Sequence, residues 1–408
     1  MLDKINVINN ISFFLLLLLG TMPLMPTGVL SISIISYLIF VSVLFLLKKN
    51  DNLDSFDYKY ILSQILFYVL FCISYFYSEN SVSGYKIIQH SLPLILFPAV
   101  SIISPKIKKK DLEIIAKVFV LSSLSLAFYI IISLFSKYGM YKVFNTSIVF
   151  HMLRENFFYI DIHPIYTSTY FIFSSLIIVK YLINSQKTIR ILIAIPLLII
   201  LTLATAILAS KTALILLFTS NLAIILFSNK IAFKNKFIFL FLLITLFTIA
   251  ILKVKTINSR FFDLFNSFNR EYLFDLKQNS TNLRMQIYSC SISESVKNFW
   301  IGVGVGDVQQ TLNSCYENNN YQNQSISAHN FYLRILLSCG IIGLIFFICS
   351  IASNLKIAFD KKSSLFISFS AIFILLMLVE DYLIRAYGVT LYAVSNHLMY
   401  IYKVEKRK

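Results

Sequence analysis

Apolar runs of roughly 20 residues recur from one end of the sequence to the other, and a run of that length matches the hydrocarbon thickness of a bilayer. A soluble core has no use for so many uninterrupted runs. Lipid admits only helices or closed barrels, and the alternating pattern of barrel strands is absent. The runs therefore predict an all-α polytopic integral membrane protein, with spans over 6–22, 28–47, 60–77, 86–104, 113–136, 165–184, 191–209, 212–228, 237–253, 330–352, 365–381 and 386–402. That is about 12 transmembrane helices in one polytopic domain covering residues 1–408. The stretch from Ile11 reads as the first span and not as a cleaved leader. No small-residue cleavage site follows it, and residues 22–26 read as a turn into the next span.

The formal charge of +17 would suggest nucleic acid in a soluble chain. Its distribution argues otherwise. With the N-terminus inside, the inner loops 48–59, 105–112, 185–190, 229–236, 354–364 and the tail 403–408 hold most of the short-loop Lys and Arg. The short outer loops at 23–27, 78–85, 210–211 and 382–385 hold only Lys211 and Arg385, with Lys86 at the edge of one. Such asymmetry orients a membrane protein and puts both termini in the cytoplasm, with no nucleic-acid partner expected.

Two outer segments are long, 137–164 and 254–329. The second is polar but carries Phe261, Phe262, Phe265, Tyr272 and Trp300, enough apolar surface to fold back as helices. It is the expected large extracytoplasmic loop, between spans nine and ten. It also holds Cys290 and Cys315, facing an oxidising compartment; the sequence leaves open whether they pair. No metal-ligand spacing occurs, so neither a metal nor a cofactor is expected.

Within 327–343 a His and an Asn stand at the outer mouth of a span, His329-Asn330, and two glycines follow one turn apart, Gly340 and Gly343. A His in such a place can accept a proton near pH 7. Glycines at that spacing let a neighbouring helix approach. Arg334 lies one turn beyond Asn330, where it either shapes a pocket or snorkels.

This text resembles the O-antigen ligase and polymerase superfamily of envelope glycosyltransferases. The ligase signature is His, then Asn, Ser or Gln, nine residues, Gly, two residues, then Gly, Thr or Tyr. His329, Asn330, Gly340 and Gly343 satisfy it without departure. Upstream, the run from Leu283 through Arg284 to Tyr288, then Gly302-Val303-Gly304, is similar to the family's Arg segment and glycine turn. Lys211 stands after Ser210 where the family usually has Arg; it keeps the charge and loses the planar fork. Glu380-Asp381 followed by Arg385 resembles the acidic-then-Arg turn before the last span, and His163-Pro164 the start of a middle span.

The resemblance implies transfer of a glycan from undecaprenyl diphosphate to a lipid A–core hydroxyl at the periplasmic face. His329 would be the base, and Arg284, Lys211 and Arg385 would bind the diphosphate. Asn330, Arg334, His163, Glu380, Gly340 and Gly343 would support them, without metal or cofactor. The expected partners are the lipid-linked glycan donor, the lipid A–core or another glycan acceptor, and membrane lipid. Cations so near hydrocarbon are costly unless they have a partner or a task. Each also has a plain structural reading: Arg284 as a loop charge, Lys211 as a snorkelling lysine, Arg385 as the ion-pair partner of Glu380 or Asp381. Ligase is favoured over an O-antigen polymerase, which takes a second lipid-linked glycan as acceptor, and over a protein O-oligosaccharyltransferase, which usually extends further at its C-terminus. A flippase would need charges at mid-membrane depth, where this sequence is apolar.

Overall fold

In the computed structural model, the residues described are 2–48, 58–145, 163–185, 188–228, 233–266, 280–321 and 326–403. Among them no β-strand occurs. The helices, in chain order, are α1 (Leu2–Gly20), α2 (Thr27–Lys48), α3 (Tyr58–Phe76), α4 (Ser81–Ser91), α5 (Pro93–Ile103), α6 (Lys109–Tyr138), α7 (Met140–Asn145), α8 (Pro164–Ser185), α9 (Thr188–Ile207), α10 (Lys211–Leu226), α11 (Phe233–Lys253), α12 (Lys255–Asn266), α13 (Ser280–Lys297), α14 (Val308–Asn318), α15 (Phe331–Asp360), α16 (Ser364–Met377) and α17 (Ala386–Ile401).

Every expected span falls on helix, with the run 86–104 divided at Pro93 between α4 and α5. Among the described residues five segments, Thr27–Leu47, Ser81–Ile103, Lys109–Tyr138, Pro164–Asn184 and Phe331–Asp360, are long and apolar enough to cross a membrane. Shorter apolar helices include Tyr60–Phe76, Lys211–Leu226 and Ser364–Met377. Most of the segment 137–164 lies outside the described residues, as does 267–279. What is described of 254–329 is largely helical, in α12, α13 and α14.

The chain forms two compact units: residues 1–40, 107–266 and 405–408, and residues 41–106 and 267–404. In the first, α8 is the central helix and packs against α6, α9 and α10. Phe171, Ile172, Phe173 and Leu176 are fully buried on it. So are Ser168, Thr169 and Ser174, small polar residues that let neighbouring helices close in. Asn221 of α10 donates to the Ser175 hydroxyl at 2.8 Å.

In the second unit α15 packs chiefly on α3, and α17 on α5. Gln64 donates to the Ser350 carbonyl at 3.1 Å, and Asn354 donates to the Tyr392 hydroxyl at 2.7 Å. Such bonds fix helix register where apolar contact alone discriminates poorly. α17 buries Thr390, Ser395, Asn396 and His397, with His397 Nδ1 2.7 Å from the Ser101 hydroxyl. A helix buried all round can carry these polar groups because protein, not lipid, receives them.

A small core outside these helices joins α13 to α14 through Ile287, Val308, Leu312 and Tyr316, with Ala328 and Leu337 packed in. The Cys290–Cys315 disulfide closes it. Cross-linking a loop of that size destabilises the unfolded chain by about 3.5 kcal/mol in the entropic account. The sequence had left this pairing open.

Candidate active site at the mouth of α15

Asn330 caps α15: its side-chain oxygen accepts the Leu333 N–H at 3.1 Å. This satisfies a donor that the first helical turn leaves without a partner. The residue before it, His329, has φ +46, a left-handed conformation that persists in a non-glycine residue only where its surroundings hold it. Three bonds do so. Tyr288 of α13 donates to the His329 carbonyl at 3.2 Å. The Asn330 N–H donates to Asp381 Oδ1 at 3.2 Å. The ring itself meets Glu380, with Nδ1 3.2 Å from Oε2.

The turn between α16 and α17 thus supplies two carboxylates in two layers. Below, Asp381 and Arg334 form an ion pair, Nη1 to Oδ2 3.4 Å, with side chains 2% and 4% exposed. Above, Glu380 and His329 are 12% and 28% exposed, so the imidazole reaches the surface. Two charges at the lower level are costly to desolvate and tolerable only together. In the upper layer a carboxylate at Nδ1 orients the ring and favours the tautomer whose Nε2 can accept a proton.

Arg284 lies on α13 one turn before Tyr288, and residues four apart share a helix face. Burial raises the Tyr288 pKa, and the Arg284 charge pulls it partly back, so the phenol stays a neutral donor. Arg284 is accordingly within electrostatic reach of the Tyr288 hydroxyl, which bonds the His329 carbonyl. Arg385 is exposed at the N-cap of α17, and neither acidic residue of the turn is ion-paired to it among the described residues. The plain structural reading of Arg385, a bridge to Glu380 or Asp381, is therefore replaced: those carboxylates hold His329 and Arg334.

Gly340 and Gly343 do a different job from the helix approach the spacing suggested. Gly340 takes φ +64 and ψ −165, and α15 kinks there. The kink releases backbone groups, and the turn after α13 receives them. Val303 N–H donates to the Leu337 carbonyl at 2.8 Å, Gly304 N–H to the Ser338 carbonyl at 3.0 Å, and Ile341 N–H to the Phe299 carbonyl at 2.8 Å. A Cβ on Gly340 would overlap the Trp300 carbonyl, and one on Gly302 would overlap the Leu337 carbonyl. The approach is of backbone to backbone, and Gly343 meets chiefly its own helix at Cys339.

Lys211 and His163 belong to the first unit. Lys211 opens α10 beside its cap Ser210, whose hydroxyl accepts the Ala213 N–H at 3.3 Å. His163 precedes α8, its carbonyl accepting the Thr167 N–H and its ring edge-on to Tyr166 at 5.0 Å. Two residues of the cluster, Tyr288 and Asp381, had no site role in the sequence reading. Tyr288 was legible as the i+4 neighbour of Arg284. The partner of Asp381 lies 47 positions away, and only the fold brings it there. Among the described residues no group of His, Cys, Asp and Glu is arranged to hold a metal ion.

Residues 171–348 match the family described as O-antigen ligase. The match takes in Lys211, Arg284, Tyr288 and the whole segment from His329 to Gly343, and stops short of the carboxylate turn. No curated protein matches the sequence.

Proposed function

We infer from the match of residues 171–348 that the chain belongs to the O-antigen ligase/polymerase superfamily, and on that premise we propose that it is a ligase-type inverting glycosyltransferase. It would move a glycan from undecaprenyl diphosphate to a lipid A–core hydroxyl at the periplasmic face of the inner membrane. The observation that carries this reading is the partly exposed His329 ring, with Glu380 at Nδ1 and its strained backbone held on both sides by Tyr288 and Asp381.

In this reading the acceptor O–H approaches Nε2 of His329. Its oxygen attacks the anomeric carbon as the proton passes to the imidazole. The carbon–oxygen bond to the diphosphate breaks on the opposite face, so the configuration inverts. The lipid diphosphate leaves with the bonding electrons, and His329 later returns its proton to water. Glu380 stabilises the imidazolium while it exists. Arg284 offers a two-pronged contact to the leaving diphosphate, where charge grows as the bond breaks. Lys211 and Arg385 are proposed as further diphosphate contacts, Lys211 as a point charge. About 12 spans, both termini in the cytoplasm and the segment 254–329 on the periplasmic side complete the proposal.

The test is gene deletion, complementation and electrophoresis of the lipopolysaccharide. Loss of ligation with polymer retained on its carrier is the ligase outcome. A core bearing a single repeat would instead identify the polymerase reaction. His329→Ala should insert and express normally and lose about 10²- to 10⁴-fold in transfer, the usual contribution of a general base. Undiminished transfer would remove His329 from the chemistry.

A further inference from the structure

In the sequence the turn between α13 and α14 is part of a long polar loop, yet its tip is apolar and uncovered. Phe299, Trp300 and Ile301 are 43%, 69% and 58% exposed. Three large hydrophobic side chains in a row, all outward, call for a specific environment. Their backbone is fastened to α15 at the Gly340 kink, and that attachment sets their depth. Between Arg334 and Lys356, α15 carries no charge. This stretch measures about 30 Å, the thickness of the hydrocarbon core. Gly340 lies roughly 8 Å inside its outer end.

Two further observations point the same way. The tip continues the apolar outer surface of the spans. On α3, Leu62, Leu66, Val69, Ile73 and Phe76 are exposed, spaced four and three apart as a single stripe. It leads to Tyr77, whose hydroxyl donates to the Ile301 carbonyl. On α15, Ile342 and Ile345 continue outward just past the kink. The turn also pairs several of its backbone groups within the protein, as a segment in hydrocarbon needs. The Gly302 N–H goes to Asn298, the Val303 and Gly304 N–H groups go to α15, and the Phe299 and Ile301 carbonyls accept from Ile341 and Tyr77.

We propose that residues 299–304 form a re-entrant turn in the upper acyl region of the leaflet on the His329 side, with Phe299, Trp300 and Ile301 in contact with lipid chains. The polar cluster at the mouth of α15 is then tied, through the kink, to an element seated in the bilayer. That fixes its height at the surface from which a lipid-borne substrate would present its head group.

The protein carries its own probe, because Trp300 is its single tryptophan. The full chain is reconstituted into phosphatidylethanolamine–phosphatidylglycerol vesicles containing phospholipid brominated at chosen acyl carbons. The expected result is blue-shifted emission that loses most of its intensity with bromine on the upper acyl carbons, less with bromine near the chain ends, and little with iodide in the water. Emission at the position of tryptophan in water, quenched by iodide and not by bromolipid, would overturn the proposal. Protection from both quenchers would also overturn it, because a protein surface would then cover the tip. Neither readout depends on glycan transfer, so the proposal and the enzymatic reading fail independently.

Discussion

α15 is interrupted twice, and the two interruptions are built from opposite materials. At its mouth, exposed backbone groups and a strained His329 are held by charged side chains: Glu380, Asp381 and, through Asp381, Arg334. At Gly340 the freed carbonyls and N–H are met chiefly by the backbone of residues 299–304, with the neutral Tyr77 hydroxyl as an added donor and no charged group. Side-chain partners can exchange protons and attract anions. Backbone partners cannot, but they hold a chain segment at fixed depth without burying a charge. The difference separates a place fit for chemistry from one fit for anchoring, within one helix.

The sharpest test of that division is at the mouth. Asp381→Asn keeps an acceptor for the Asn330 N–H but strands the Arg334 guanidinium, 4% exposed. Loss of one partner of a buried pair costs about 3–5 kcal/mol. A lowered midpoint of thermal unfolding in detergent should show it, and an unchanged midpoint would mean that the lower layer is not a structural pair. Glu380→Gln should do the reverse. It preserves size and most of the stability, while transfer per folded molecule falls about 10²-fold as the imidazolium loses its counter-charge. Equal activity would reduce Glu380 to a spacer.

At the kink the expected effect falls on folding and not on chemistry. Gly340→Ala forces a Cβ against the Trp300 carbonyl and a left-handed conformation on alanine, a loss of about 1–3 kcal/mol. Yield and unfolding midpoint should drop, while the protein that does fold keeps its rate. A normally stable variant with low transfer would break the division between the two interruptions. The smallest effect is expected at Tyr288→Phe, which removes a hydroxyl that donates to the His329 carbonyl. About 1 kcal/mol of stability and a few-fold loss of transfer should be measured. A null result in both would show the bond to be incidental.

The positions of the helices were legible because the physics that sets them is local. Each apolar run must satisfy its backbone internally in lipid, so length and hydropathy alone placed helices such as α2, α6 and α15. The signature His329-Asn330 with Gly340 and Gly343 is likewise contiguous, and its first pair does stand at a helix mouth. Contacts across long sequence separations were not legible. Glu380 and Asp381 read equally well as partners of Arg385, four or five positions on, and the fold gave them to residues some fifty positions back. The kink at Gly340 looked like a helix-packing motif because a glycine's use depends on what approaches it. The Cys290–Cys315 bond could not be chosen from spacing. Sequence by itself settled which apolar segments are helices and that His329 stands at a helix mouth. Tertiary structure alone decided what holds that histidine, because ion pairing and backbone approach depend on distances that only the packed chain sets.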